Sequence, residues 1–148
     1  MPARQTYTMK CRDTGYAAKI SVIEVDDVPC HTISVVEFAG VLSCDDGGVA
    51  TTSTKDTFDY INGSGKFHGY SVVTFEDGYT FSIGYQGTAT PEAKTTRWDG
   101  AYEFIKGTGR FEGVQGGGSL TGKRLASTPG AGSQYYVDYD LTYTLPSK

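Results

Sequence analysis

Hydrophobic and polar residues alternate along most of this chain, which is the pattern of β-strands with one buried face. The pattern is clearest over 134–145, where every second residue from Tyr135 to Leu145 is apolar and most intervening residues are polar. The turn signal Asp77-Gly78 separates two further runs and indicates a hairpin between 70–76 and 79–85. Similar runs predict strands at 19–26, 32–43, 52–61, 97–106 and 118–125.

These eight predicted strands are joined by short, turn-rich connections, for example at 45–48 and 128–130. An antiparallel sheet of this size has two exposed edges unless it closes on itself. We therefore predict an all-β fold, an eight-stranded antiparallel β-barrel. The chain of 148 residues has an ordinary single-domain size, and we assign 1–148 to one domain, with 1–18 as an N-terminal arm and 19–145 as the barrel.

Glycine and aromatic residues are abundant, with 20 Gly, 11 Tyr and 7 Phe. Part of the glycine belongs to an internal repeat, in which 59–69 (DYINGSGKFHG) recurs 44 positions later as 103–113 (EFIKGTGRFEG) with five identical residues. We interpret both copies as barrel corners. Glycines allow the chain to turn where each strand ends, and Phe67 and Phe111 point inward to close the base of the barrel.

Charge and cysteine content limit the partners and the compartment. The net charge is -4 and no long apolar run is present, so we expect no nucleic-acid partner and no membrane association. The N-terminal residues contain no apolar export signal, which predicts a cytoplasmic protein. Cys11, Cys30 and Cys44 form no CxxC pair, which favours free thiols in a reducing compartment.

The sequence patterns that resemble cofactor-binding motifs are incomplete. Residues 117–123 (GGSLTGK) match the phosphate-binding pattern GxxxxGK, but Arg124 stands where a Ser or Thr would bind Mg²⁺, and a strand is predicted there instead of a helix. His31 and His68 are far apart, and the cysteines lack the spacing of a zinc site. We expect no metal and no cofactor.

A few polar residues lie inside otherwise apolar strands and are candidates for chemistry. Glu24 lies in ISVIEVD and Glu37 in ISVVEF, with His31 on the same strand face as Glu37. Such a carboxylate either faces solvent or is buried with a perturbed pKa. Along one strand His31 and Glu37 are about 20 Å apart, so any pairing requires residues from neighbouring strands.

Trp98 occupies the strand face opposite Arg97 and Asp99, where it either fills the core or caps a ligand cavity. An eight-stranded barrel is just wide enough to hold one small ligand. The tyrosine-rich strands also carry more apolar surface than one small interior absorbs. We therefore expect a homo-oligomer, a dimer or a trimer.

The stretch 102–116 (YEFIKGTGRFEGVQG) resembles the glycine signature of the allene oxide cyclase and dirigent superfamily. The resemblance extends loosely over 19–145, and 22–26 (VIEVD) is similar to the first barrel strand of allene oxide cyclase. It implies an allene oxide cyclase-like barrel from a bacterial-type branch. In this family the barrel cavity steers a reactive, largely apolar intermediate into one product.

By this resemblance Glu24 matches the cyclase glutamate, and Asp26 lies near the Asn of the same strand. The family's Ser-Pro pair has only Pro29 as a counterpart, a second Asn is replaced near Val35, and the dirigent Asp and Arg pattern is not recognisable. The resemblance therefore supports the fold more strongly than the activity.

The resemblance implies a cofactor-independent cyclase or isomerase that acts on a small hydrophobic molecule. Glu24 would be its electrostatic or general-base group, with Glu37 and His31 as secondary polar groups. The residues expected to line the cavity are Asp26, Tyr85, Trp98, Tyr102, Tyr139 and Tyr143. Two alternatives remain: a barrel that binds a hydrophobic ligand without transforming it, and a filled barrel that serves as an oligomeric structural protein.

Overall fold

The computed structural model describes residues 3–125 and 134–147 and confirms the eight-stranded antiparallel barrel. Each strand pairs with its neighbours in chain order, and β1 pairs with β8 to close the sheet. Among these residues, no helix is long and apolar enough to span a membrane. The strands are β1 (Arg4–Glu24), β2 (His31–Cys44), β3 (Val49–Ile61), β4 (Ser64–Phe75), β5 (Thr80–Glu92), β6 (Thr95–Gly107), β7 (Gln115–Arg124) and β8 (Gln134–Pro146).

The first strand begins much earlier than the sequence pattern indicates. Residues 4–18, predicted as an N-terminal arm, form the first part of β1 and pair with β8 from Arg4 to Tyr16. The buried side chains of this part are Cys11 and Asp13, so the stretch lacks the apolar alternation by which the other strands were predicted. The predicted turn at 128–130 lies outside the described residues.

The two ends of the barrel differ. The β1–β2, β3–β4 and β5–β6 connections lie at one end, called here the open end, and the β2–β3, β4–β5 and β6–β7 connections lie at the other, the closed end. A short 3₁₀ helix, Gly109–Phe111, seals the closed end. The Phe111 ring packs 5.2 Å from both Phe75 and Phe81 and 6.4 Å from Tyr143, measured between ring centroids.

The two copies of the internal repeat form corners at opposite ends. Gly63 turns the β3–β4 connection at the open end with φ +79°, and Gly109 begins the short helix at the closed end with φ +56°. Both backbone conformations favour glycine. Phe111 closes the base as predicted, whereas Phe67 lies within the interior against Phe58 and Tyr85. The prediction that both phenylalanines close one base is therefore correct only for Phe111.

A disulfide joins Cys11 and Cys44 near the closed end. These residues are 33 positions apart in sequence but are direct partners across β1 and β2, with their Cα atoms 4.0 Å apart. The prediction of free thiols is wrong for this pair, because the strand register brings the two together. Cys30 is a free, exposed cysteine in the β1–β2 connection.

Candidate functional site

The barrel interior contains two aspartates, Asp13 on β1 and Asp56 on β3. Their side chains point inward because they occupy the same alternating positions as the core residues of their strands, such as Cys11 and Phe58. Only 3% of Asp13 and 7% of Asp56 is exposed. Burial of a carboxyl group is costly unless hydrogen bonds compensate for the lost water.

Two hydroxyl groups donate hydrogen bonds to the Asp13 carboxylate. Thr52 Oγ1 donates to Asp13 Oδ1 at 2.8 Å, and the hydroxyl of Tyr135 donates to Asp13 Oδ2 at 3.1 Å. Gly40 leaves the space that this cluster occupies. A Cβ atom at position 40 would lie 2.6 Å from both Asp13 Oδ1 and the Tyr135 hydroxyl oxygen.

Asp56 has a similar environment. The hydroxyl of Tyr85 donates a short hydrogen bond to Asp56 Oδ1. Gly69 is the direct partner of Asp56 across β3 and β4, and a Cβ atom at position 69 would overlap Asp56 Oδ1. Each carboxyl group therefore lies against a glycine and accepts a hydrogen bond from a tyrosine hydroxyl.

Burial in the barrel interior raises the pKa of both aspartates toward neutral pH. Burial raises the pKa of Asp13 to about 6, although the hydrogen bonds from Thr52 and Tyr135 favour the charged form. Burial raises the pKa of Asp56 to about 7, against the hydrogen bond from Tyr85, and the negative charge of Asp13 raises it further. A carboxyl group with a pKa close to 7 exchanges a proton readily at physiological pH.

Little space surrounds these carboxyl groups. They line a cavity of about 30 Å³, called here the carboxyl chamber, together with the Tyr85 and Tyr135 hydroxyl-bearing rings. That volume suits about one or two water molecules and excludes an organic ligand. The interior around the aspartates is therefore nearly filled.

A larger cavity of about 140 Å³, called here the mouth pocket, lies at the open end. Its base consists of the rings of Phe38, Phe58 and Trp98, which also line the carboxyl chamber. The Trp98 ring lies 6.3 Å from Phe38 and 6.2 Å from Phe58, measured between centroids. These three rings, the aromatic floor, separate the mouth pocket from the buried carboxyl groups.

The other walls of the mouth pocket combine apolar and polar side chains. Trp98 Nε1 donates to the Tyr60 hydroxyl oxygen at 3.2 Å, and Nη2 of Arg124 donates to Thr96 Oγ1 at 3.4 Å. The remaining lining residues are Ala17, Ile20, Ser34 and Val36. The pocket is thus mainly apolar, with a few polar groups at its rim.

The structure places the predicted polar site residues outside the interior. In the described residues β1 pairs with β8 only as far as Tyr16 and continues along β2 to Glu24, which is exposed. Asp26 is exposed in the β1–β2 connection, and Glu37 is half-buried on the outward-facing side of β2. The structure therefore does not bring these carboxylates together in the cavity, and their roles stay predictions that rest on the resemblance.

His31, the third predicted catalytic residue, lies on the outer surface near the open end. Its Nδ1 is 2.7 Å from Asp27 Oδ1 and its Nε2 is 2.6 Å from Asp59 Oδ1. The hydrogen bonds that His31 donates to these carboxylates raise its pKa, and the one to Asp59 contributes most. The residue therefore links the β1–β2 connection to β3 and does not contact Glu37.

The predicted aromatic residues all lie inside but have different surroundings. Trp98 lines the mouth pocket and the carboxyl chamber, and Tyr85 and Tyr139 line the chamber. The Tyr102 hydroxyl donates to the Asp140 carbonyl oxygen at 2.8 Å and accepts from the Thr142 amide at 3.1 Å, so it bridges to the β8 backbone. Tyr143 packs against Phe111 at the closed end.

Comparison with known proteins adds information on the fold. No protein-family model and no curated protein matches this chain. The structure is similar to that of a pterocarpan synthase dirigent protein, with a TM-score of 0.56, 12% sequence identity, and coverage of 98% of this chain and 88% of that chain. This likeness supports a dirigent-like barrel, as the glycine signature predicted. The narrower assignment to allene oxide cyclase and to a bacterial-type branch stays a prediction.

Proposed function

We propose that this barrel binds and shapes a small, largely apolar molecule in the mouth pocket. The observation that carries the proposal is the pocket itself, about 140 Å³ in volume, with an aromatic floor and few polar groups. An apolar cavity of about 150 Å³ in another protein holds a benzene molecule, so the volume suits a ligand with one ring. The dirigent protein of similar fold is a pterocarpan synthase, and this fold-level analogy points the same way.

Trp98 provides the test, because it is the single tryptophan of the chain and forms part of the pocket. We expect phenethyl alcohol to change its fluorescence in a saturable manner. Ser34→Phe places a ring in the mouth pocket and should abolish this response. Ser53→Phe, at an exposed position of β3, is the matched control and should retain it. An absent response in the unmodified protein, or an unchanged one in Ser34→Phe, would contradict the proposal.

A second candidate function is a cofactor-independent isomerase or cyclase, and the raised pKa of Asp56 favours it. A carboxyl group that is protonated part of the time near pH 7 acts as a general acid or a general base. For a molecule in the mouth pocket to reach Asp56, the aromatic floor would have to open. Binding and catalysis would then use the same entrance.

Proton transfer is measurable without the natural substrate. In deuterated water, the acidic C–H groups of phenylacetone exchange with solvent, and ¹H NMR follows the loss of signal. If Asp56 is the proton-transfer group, the protein accelerates this exchange, Asp56→Asn removes the acceleration, and Glu24→Gln does not. Loss of exchange in Glu24→Gln alone would instead support the role implied by the resemblance. If the protein binds a ligand but does not accelerate exchange, the result supports a binding barrel. If it neither binds nor accelerates exchange, the result supports the filled structural barrel.

A further inference from the structure

Arg124 has a different environment from the three surface arginines that form ion pairs. Arg12, Arg97 and Arg110 each donate to an aspartate, at 2.7, 2.9 and 2.7 Å respectively. Arg124 is the last residue of β7 and follows the buried Leu120 and Gly122 at every second position, so its side chain points toward the interior. It is half-buried and lines the mouth pocket.

The positive charge of Arg124 lacks a counterion in the described part of the chain. No carboxylate there lies within 4.0 Å of its guanidinium, and its side-chain hydrogen bond to Thr96, at 3.4 Å, is long. The neighbouring Lys123 lies 3.9 Å from Glu92, so that carboxylate is already engaged. Residues 126–133, which follow β7, contain no Asp or Glu. A partly buried guanidinium with one long hydrogen bond retains donors for an anion.

The Tyr60 hydroxyl, on β3, adds a second donor to the lining of the same pocket. Its oxygen accepts the hydrogen bond from Trp98 Nε1, which leaves its own hydrogen available. Burial raises the pKa of Tyr60 to about 12, so the hydroxyl keeps its proton at neutral pH, while the nearby charge of Arg124 acts in the opposite direction. The rim therefore presents a guanidinium and a hydroxyl donor beside the aromatic floor.

We propose that the ligand of the mouth pocket is a single-ring aromatic carboxylate whose carboxylate group binds Arg124 and whose ring packs on the aromatic floor. This inference rests on the proposed function of the pocket. The planar guanidinium matches a carboxylate through two parallel hydrogen bonds. A single guanidinium also balances the single negative charge of a carboxylate. The volume of about 140 Å³ admits one ring.

The experiment compares phenylacetate with phenethyl alcohol, a neutral molecule of similar size, by titration of Trp98 fluorescence. We expect the unmodified protein to bind phenylacetate roughly 10-fold or more tightly than phenethyl alcohol, because charge-assisted hydrogen bonds are stronger than neutral ones. Arg124→Gln should remove this difference by weakening phenylacetate binding, while phenethyl alcohol still binds. Arg97→Gln, on the outward face of β6, is the matched control and should behave as the unmodified protein.

The outcomes separate this inference from the proposed function. Equal affinities for the two compounds, or an unchanged preference in Arg124→Gln, would overturn the role of Arg124 while the pocket still binds ligand. Failure of both compounds to bind would overturn the proposed function itself. If Arg124→Gln does not fold, salt provides the second measurement. Added salt must weaken phenylacetate binding and leave phenethyl alcohol binding unchanged, and equal salt dependence for both would reject the ion pair.

Discussion

Gly69 and Asp56 are direct partners on β4 and β3, and the Asp56 carboxylate occupies the space that a side chain at position 69 would fill. The glycine and the carboxyl group therefore form one unit of the core. A Cβ atom at Gly40 would likewise meet the Asp13 carboxylate, although Gly40 pairs with Gly15 and not with Asp13. Glycine in these strands makes room for buried polar groups.

Substitution of Gly69 by alanine should therefore destabilise the barrel. The added methyl group must displace the Asp56 carboxylate from Tyr85, and overpacking of this kind costs about 1–3 kcal/mol. Urea denaturation measures the loss. Gly84→Ala on β5 is the control, because its Cβ would meet the flexible ends of Ile105 and Tyr70 at 3.3 Å. Equal stability of the two variants would show that the carboxyl group is not confined by Gly69.

The stability of the protein should fall as the pH rises from about 4 to about 8. Burial raises the pKa of Asp56 to about 7 from an ordinary value of 3.8, so its contribution is complete below the ordinary value and is lost as the pH rises through 7. The shift corresponds to roughly 4 kcal/mol. Asp56→Asn, which resembles the protonated form and still accepts from Tyr85, should reduce this dependence in urea denaturation measured across the pH range, and Asp13, with a pKa of about 6, should retain part of it. The variant Asp99→Asn, at a half-exposed position on the outer surface, should retain the full slope, and parallel slopes in all three proteins would refute the expectation.

Reduction of the Cys11–Cys44 disulfide should destabilise the closed end. The bond closes a loop across 33 positions, and a cross-link of this length contributes roughly 2–4 kcal/mol. Thermal denaturation with and without dithiothreitol measures the effect, and the double variant Cys11→Ala, Cys44→Ala should no longer respond to the reductant. Cys30→Ala leaves the cross-link intact and should respond as the unmodified protein does. A Cys30→Ala variant insensitive to reductant would contradict the assignment.

The imidazole of His31 should titrate above its ordinary range. Hydrogen bonds from the imidazole to Asp59 and Asp27 raise its pKa, so this stabilisation is present at and below pH 6.5 and is lost as the pH rises through the raised value. Asp59→Asn removes the largest cause and should lower the midpoint of the His31 NMR titration. Asp99→Asn, on β6, should leave the midpoint unchanged, and a shift of equal size in both variants would exclude a specific pairing.

The sequence pattern predicted the barrel because most strands are amphipathic in the ordinary sense. Along β8 the buried positions are Tyr135, Val137, Tyr139, Leu141 and Tyr143, and polar residues occupy most of the positions between them. The first half of β1 was missed because its inward positions include Asp13 and Gly15 between cysteine and alanine. Apolar alternation identifies a strand only where apolar residues fill its buried face.

The candidate site was less predictable for the same reason. Asp56 follows Thr52 and Thr54 on the inward face of β3, so this face has the composition of a solvent-exposed one. The sequence indicates its inward position only through Phe58, which lies two positions later on the same strand face. In the sequence, Arg124 is distinguished only as the residue that interrupts a phosphate-binding motif, because its place at the mouth depends on the pairing of β6, β7 and β8. Pairing between distant strands determines which side chains share a cavity.

The disulfide and the Phe111 plug both lie at the closed end, whereas the mouth pocket lies at the end without either. Resistance to local unfolding should therefore form a gradient along the barrel axis, with the slowest amide hydrogen exchange near Cys11 and Phe111. Strand ends around the pocket can separate transiently while the opposite end keeps the register. Under the proposed function, a ligand would therefore enter at the open end without global unfolding.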